Sequence, residues 1–330
     1  MSILVCGGAG YIGSHMVAHL LENEKYVVVL DNLEKGHKEA VLGGKLYVGD
    51  LRDDNILDRI FTENNIEAVI DFAADSLVGE SVENPIKYFE NNVGSTLNLL
   101  KAMNKYKVKY IVFSSTAATY GEPERVPIEE FDKTFPTNPY GESKLIVEKI
   151  LSWCEKAYGI KYTVLRYFNA AGAHANGRIG EDHNPESHLI PIILQVALGK
   201  REKIMIFGND YPTEDGSCIR DYVHVSDLAS AHLLALNRLK KGEDSAIYNL
   251  GNGKGFSVKE VINIARYVTG KDIKTEVANR REGDPAILVA SSQKAVKELG
   301  WKPKFGDLKN IIEDAWKWHS NNPYGYFDKV

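Results

Sequence analysis

The chain has 330 residues, 26% of them charged and 44% apolar, a composition that fits one large α/β unit or two domains sharing an interface. Its formal net charge is −5 and it holds no block of five or more lysines and arginines, so a duplex-binding or anionic-membrane role has little electrostatic support. No apolar run approaches the roughly 20 residues of a bilayer span, and the opening "MSILVCGGAG" has neither the basic segment nor the long apolar stretch of a secretory signal.

In chain order, the apolar run "SILVCGG" predicts a first strand, followed by an amphipathic helix over 11–23 and a strand "YVVVLDN" at 26–32. A strand "KLYVGDL" at 45–51 precedes a helix over 53–64, and "AVIDFAA" at 68–74 precedes a helix over 84–106. "VKYIVFSST" at 108–116 reads as the next strand. Asn138 and Pro139 read as the N-cap and first-turn proline of a helix running to Tyr158, and "KYTVLRYFNAAG" at 161–172 follows as a strand. Continuous apolar strands alternating with helices predict an α/β fold of the Rossmann type: a doubly wound parallel sheet, its ligand beyond the C-terminal strand ends.

Beyond residue 172 the rhythm loosens into a long polar stretch, "AHANGRIGEDHNPESH", of the kind that serves as a functional loop. A helix over 189–199, strands "KIMIFG" and "CIRDYVHV", a helix from Ser226 to Leu239 and a strand "SAIYNLG" follow. Ser257 and Glu260 form a capping-box pattern for a helix that ends before Gly270. The expected organisation is a cofactor domain, 1–172, and a smaller C-terminal α/β substrate domain, 173–330, with segments crossing back and the site in the cleft between.

Cys6, Cys154 and Cys218, odd in number and widely spaced, imply neither a disulfide framework nor a zinc site. The nine histidines read as scattered, with no carboxylate–histidine cluster. A cytoplasmic protein without a bound metal is the expectation.

"GGAGYIG" places Gly7, Gly10 and Gly13, with Tyr11 and Ile12 between them, at a strand–turn–helix junction. Glycines there allow a tight turn, close approach of a pyrophosphate and close helix–strand packing, and the helix N-terminus attracts the negative charge. Asp31 ends the second strand 18 residues after Gly13, next to Asn32. A carboxylate there would accept hydrogen bonds from an adenosine ribose and repel the extra phosphate of NADP, so the cofactor read is NAD. Asp50 and Leu51 close the third strand where adenine would lie, and Phe72, Ala73 and Ala74 leave room at the fourth strand end. Tyr140 and Lys144, four residues apart on a helix, share one face.

These segments resemble the extended short-chain dehydrogenase/reductase family. The glycine pattern, Asp31, "FSST", Tyr140 with Lys144, and "RYFN" carry the match through the first half. "FAADSLVGES", "STAATYG", "RYFNAAGAH", "IFGNDYPTEDGSCIRDYVHV" and "RREGDPA" resemble, in order, segments of its UDP-sugar C4-epimerases across essentially the whole chain. The resemblance implies reversible epimerisation of UDP-glucose and UDP-galactose at C4, through a transient 4-keto sugar and a tightly bound NAD recycled in each turnover.

It also implies roles. Tyr140 takes the proton of the sugar 4-hydroxyl, and Thr116 hydrogen-bonds that hydroxyl or the phenolate. Lys144 lowers the tyrosine pKa and bonds the nicotinamide ribose. A tyrosine serving near neutrality needs a downward shift of about three units, or ~4 kcal/mol. A lysine charge ~4 Å away at an effective dielectric of about 20 supplies roughly that. By the same resemblance Asn91 and Phe168 join the cofactor site, and Asn169, Arg220, Arg281 and Asp284 hold the UDP-sugar. Met205, Ile206 and Phe207 lie against uracil. Ser76 stands where some relatives have lysine. His188, beside Leu189, replaces an asparagine near the pyrophosphate and uracil. Leu288 is larger than the cysteine of some relatives that accept N-acetyl sugars, so non-acetylated sugars are the expected substrates.

Ala117 and Ala118 stand where the dehydratases of the family carry Asp and Glu, and alanine transfers no proton. A UDP-uronate epimerase or decarboxylase, and a non-catalytic NAD-sensing protein, remain the alternatives. A homodimer paired through the helices at 84–106 and 140–158 is the expected assembly.

Overall fold

The computed structural model describes residues 1–281 and 284–326. The first half runs β1 (Ser2–Cys6), α1 (Tyr11–Glu22), β2 (Tyr26–Asp31), β3 (Lys45–Val48), α2 (Asp54–Glu63) and β4 (Ile66–Asp71). Next come α3 (Val78–Glu83), α4 (Pro85–Tyr88), α5 (Ser95–Lys105), β5 (Tyr110–Thr116), α6 (Pro139–Tyr158), β6 (Lys161–Tyr167) and β7 (Asn169–Ala171). The second half comprises α7 (Leu189–Ala197), β8 (Ile204–Phe207), β9 (Ile219–His224), α8 (Val225–Lys240) and β10 (Ala246–Leu250). It ends with β11 (Gly255–Ser257), α9 (Val258–Thr269), β12 (Thr275–Ala278), β13 (Ile287–Leu288) and α10 (Leu308–Asn321).

Seven strands form one parallel sheet in the order β10-β6-β5-β4-β1-β2-β3. The order reverses between β1 and β4, whose last residues, Cys6 and Asp71, sit side by side. That switch point is where a doubly wound sheet opens a crevice for a ligand.

Alternation along β1 explains how the sheet is covered. Ile3 and Val5 pack with Met16, Val17 and Leu20 of α1 and with Leu228 and Leu236 of α8. Leu4 and Cys6 point the other way, into a layer with Leu57 and Ile60 of α2, Leu99 and Met103 of α5, and Val147 and Leu151 of α6. Both α8 and β10 lie beyond residue 172, yet one covers this sheet and the other is its edge strand. A separate core joins α7, α9 and α10 through Ile193, Ile262 and Ile312, next to small sheets that pair β9 with β7, β11 and β13, and β8 with β12.

Two elements differ from expectation. The helical run around 84–106 is preceded by α3, with Asn84 non-helical and Pro85 opening α4. Within the run, Phe89–Gly94 widens into a π-helical turn, and Asn92 bonds both backbone groups of Asp75 there, at 2.8 and 3.0 Å. The strand expected over 161–172 is two strands in different sheets, because the chain breaks at Phe168, whose ring packs with Tyr120, Ile128 and Ala290. The capping box of α9 is present, with Gly270 left-handed after it.

Candidate active site

The glycine turn is shaped by what a side chain would strike. Gly7 has φ +69°, and a Cβ on it would lie 2.8 Å from the Ala73 amide nitrogen. A Cβ on Gly13 would come within 2.0 Å of the Gly7 carbonyl oxygen, so glycine lets α1 pack on the end of β1. At Gly10 the nearest atom would be 3.4 Å away, which leaves that position open toward a ligand. The cleft above is lined by Gly7, Gly10, Asp31, Asn32, Asp50, Leu51, Phe72, Ala73, Ala74 and Asn91, ten of the expected cofactor residues. Glu34, Lys35, Asp75 and Ser95 line it as well.

Asp31 accepts from the Ala9 and Leu33 amides, each at 2.9 Å. Burial pushes its carboxyl up, and these amides pull it back. A carboxylate has about four lone-pair sites, so capacity remains for ribose hydroxyls. Asp50 is forked by Arg52 through Nε and Nη2 at 2.8 and 2.7 Å, which holds it well below the usual carboxylate range. The small-residue cradle and Asp31 together fit a dinucleotide. Tyr11 turns its hydroxyl away to the Gly172 carbonyl at 2.7 Å, so it and Ile12 would serve through the backbone at the start of α1.

The acid–base pair stands at the start of α6. Asn138 accepts from the Gly141 amide at 2.9 Å and Pro139 opens the helix. A Cβ on Gly141 would be 2.5 Å from the Ala118 carbonyl oxygen, so the first turn of α6 lies directly on the turn that follows Thr116. Burial raises the Tyr140 hydroxyl and a hydrogen bond with Thr116 opposes this. Lys144, one turn on, donates from Nζ to the Ser114 carbonyl at 3.0 Å and lies 4.8 Å over the centre of the Phe113 ring. Burial lowers it to about 8, while Asp71 and Glu148 favour its charge. The Lys144 ammonium thus donates to a strand carbonyl, with the Asp71 and Glu148 carboxylates favouring its charge. Ala117 and Ala118 begin a 3-10 turn with no ionisable side chain.

A family model described as the NAD dependent epimerase/dehydratase family matches residues 3–251. The chain belongs to this family. Among its relatives, a UDP-glucose 4-epimerase of Halalkalibacterium halodurans is 64% identical over 326 residues, covering 99% of this chain and 98% of the relative. A crystal structure of a UDP-glucose 4-epimerase superimposes with a TM-score of 0.98 at 58% identity, covering 99% of this chain and 100% of that one. The Brucella ovis UDP-glucose 4-epimerase in complex with NAD gives 0.94 at 44% identity, covering 96% and 97%.

On the other side of the epimerase/dehydratase cleft, the small sheet around β9 gathers several expected substrate residues. Asn169 donates to the Asp221 carbonyl at 3.0 Å. Arg220 pairs with Asp284, and Leu288 is its neighbour in register. Leu288 also packs on the small cluster that holds Phe168. Arg281 lies 4.0 Å over the Phe207 ring, and Met205 and Phe207 are partly exposed on β8. Ile206 alternates inward to the second-half core, leaving only its backbone for a ligand. Ser76 is exposed between β4 and α3, while His188 and Leu189 cap and begin α7.

Three participants escaped the sequence reading. Asp71 ends β4 beside Phe113 and is lifted to about 6 by burial, with Lys144 opposing. Glu148, a further turn along the face of Tyr140 and Lys144, accepts from Ser115 at 2.5 Å and from Arg166 at 3.0 and 2.5 Å. A carboxyl that closes an apolar strand, and one at i+8 from the tyrosine, were the available signals. The third is a correction. The histidines are not all scattered: Glu181, His183, Glu186 and His188 converge, because the Ser187 and His188 amides both donate to Glu186 and fold the loop on itself.

Proposed function

We propose that the chain interconverts UDP-glucose and UDP-galactose by inverting sugar C4. The observation that carries this is the Thr116–Tyr140–Lys144 group on β5 and α6, with β5 pairing β4 whose end lines a glycine-cradled cleft, in a chain 64% identical to a UDP-glucose 4-epimerase along nearly its whole length. NAD, held by the glycine turn, Asp31 and the β4 end, supplies a hydride acceptor and donor for C4 when bound. Tyr140 takes the proton of the 4-hydroxyl and returns it, with Thr116 orienting the exchange. Lys144, kept charged by Asp71 and Glu148, holds the positive potential behind the pair. Asn169 and Arg220, with Arg281 and Asp284, anchor the UDP so that the sugar can present either face. Arginine suits a diphosphate because its planar fork binds two oxygens at once.

The division at residue 172 into a cofactor part and a UDP-sugar part belongs to this proposal, with α8 and β10 crossing back. So does a homodimer, for which Leu97 of α5 and Trp153 of α6 supply exposed apolar surface on the two expected helices. A cytoplasmic site of action accords with three unpaired cysteines. No described helix is long and apolar enough to cross a membrane.

Proton NMR of UDP-galactose with the purified protein, with and without added NAD, tests the reaction. UDP-glucose appearing without added NAD is the expected result. No conversion in either sample overturns the substrate assignment.

A further inference from the structure

The loop between β7 and α7 carries four potential ligands within eight residues: Glu181, His183, Glu186 and His188. One donor atom from each, an imidazole nitrogen or a carboxylate oxygen, lies within 4.8 Å of all the others. Glu181 Oε1 is 2.6 Å from His188 Nδ1 and 3.3 Å from His183 Nδ1. Glu186 places Oε1 3.5 Å from His188 Nδ1 and Oε2 3.7 Å from His183 Nδ1. Tetrahedral ligands held about 2.0–2.2 Å from a zinc ion stand roughly 3.3–3.6 Å apart. Among the proposed ligand atoms, Glu181 Oε1–His183 Nδ1 and Glu186 Oε2–His183 Nδ1 already match or slightly exceed that spacing, and Glu181 Oε1–His188 Nδ1 needs to open by ~1 Å or less.

Ion pairing alone is the competing account, since two carboxylates and two imidazoles can neutralise each other. It leaves two atoms unexplained. Glu181 Oε1 and His183 Nδ1 are buried and, although Glu181 Oε1 lies 2.6 Å from His188 Nδ1 and 3.3 Å from His183 Nδ1, neither atom makes an aligned hydrogen bond. Glu181 is only 3% exposed, and a buried carboxylate oxygen without a bonded proton is costly. One donor atom from each of the four groups converges on a common centre, an arrangement that suits a cation there. Glu186 Oε1 is occupied by the Ser187 and His188 amides at 2.7 and 2.8 Å, which fixes that carboxylate and leaves Oε2 for a ligand role.

We propose that Glu181, His183, Glu186 and His188 form a site for a divalent transition-metal ion, zinc by preference. Two imidazoles and two carboxylates are a borderline-soft N₂O₂ set that favours zinc or cobalt over magnesium or calcium, and the two negative charges match a dication. The role is structural. His183 packs edge-on to Tyr11 at 6.1 Å, and His37 on the glycine-turn side bonds the Asp182 carbonyl at 3.0 Å. An ion here would clamp the loop from the second half onto the start of α1. This goes beyond the epimerase reading and does not depend on it.

Cobalt(II) titration of the chelator-treated full-length chain is the test, read by visible ligand-field absorption and by proton release at constant pH. One equivalent bound to saturation, with about two protons released per ion, is expected, because both imidazoles must be neutral to ligate. Glu186→Gln, which keeps an acceptor for the two amides, should weaken binding at least tenfold, and His183→Gln should do the same. Far-ultraviolet circular dichroism checks that each variant is folded. Wild-type protein that shows no saturable band overturns the proposal whatever the variants do. A band unchanged in both variants overturns it too, by placing the ion elsewhere.

Discussion

The Lys144 ammonium donates to the Ser114 carbonyl at 3.0 Å, pinning the helix of the acid–base pair to the strand that ends in Thr116. Its charge is maintained by Asp71 and Glu148 against a burial that lowers it to about 8. Asp71→Asn removes one of the two supports, so Lys144 should lose its proton at lower pH. The alkaline limb of the kcat profile is then expected to move down by about one unit, the scale of one nearby opposite charge. A kcat–pH profile identical to the parent's would refute the role of Asp71.

Tyr140→Phe deletes the group that exchanges the proton while keeping the ring. Turnover should fall by about 10²–10⁴. Thr116→Val should act in the same direction but less, because it removes the hydrogen bond that opposes the burial-raised pKa of Tyr140. Steady-state kinetics with UDP-galactose decides this. A Thr116→Val protein slower than Tyr140→Phe would reverse the assigned roles.

What was legible in the sequence was what the local chain dictates. The parallel sheet followed from apolar runs separated by helical ones, and the cofactor turn from glycines whose absent Cβ atoms a short segment already implies. Periodicity placed Tyr140 and Lys144 on one face, but it does not say where a lysine nitrogen finds its acceptor, and Ser114 is 30 residues away. Asp71 and Glu148 act across β4, β5 and α6, so only the packed sheet brings them to Lys144. The Glu181–His188 cluster was visible as residue types at close spacing, yet the stretch read only as a polar loop, because spacing alone does not show that the loop folds back on itself.

Gly13 and Gly10 should separate folding from binding. Gly13→Ala drives a Cβ to within 2.0 Å of the Gly7 carbonyl oxygen, so α1 must shift off β1 at a cost of about 1–3 kcal/mol or more. Gly10→Ala meets nothing closer than 3.4 Å and should leave stability nearly unchanged while obstructing the cofactor. Thermal unfolding and cofactor content, measured on both, give the comparison. Equal losses of stability would remove the distinction.

His232 is fully buried, 3.2 Å from the Ser114 hydroxyl, and burial drives it to about 4 although the Leu228 carbonyl favours its proton. The unfolded chain therefore binds this proton between pH ~6.5 and about 4 while the folded one does not, and folding stability falls as pH falls through that window. Replacing it with glutamine removes this contribution to the slope. Urea midpoints measured from pH 7 to 4 should fall less steeply for His232→Gln than for the parent. Parallel curves would show that His232 does not titrate as its burial requires.

Leu288 is the neighbour of Arg220 in register and packs on the cluster that holds Phe168, which puts a branched side chain where the sugar would follow the diphosphate. Leu288→Ala removes that bulk without touching Tyr140, Lys144 or Arg220. Discrimination by a few methylenes in an apolar pocket is worth about 1–3 kcal/mol, or roughly 10–200-fold. The variant should therefore raise the kcat/KM for UDP-N-acetylglucosamine relative to UDP-glucose by about tenfold or more. The parent enzyme is expected to prefer the non-acetylated sugar. Comparable turnover of both by the parent would show that Leu288 does not restrict the C2 substituent. An unchanged ratio in the variant would move that restriction to another residue of the pocket.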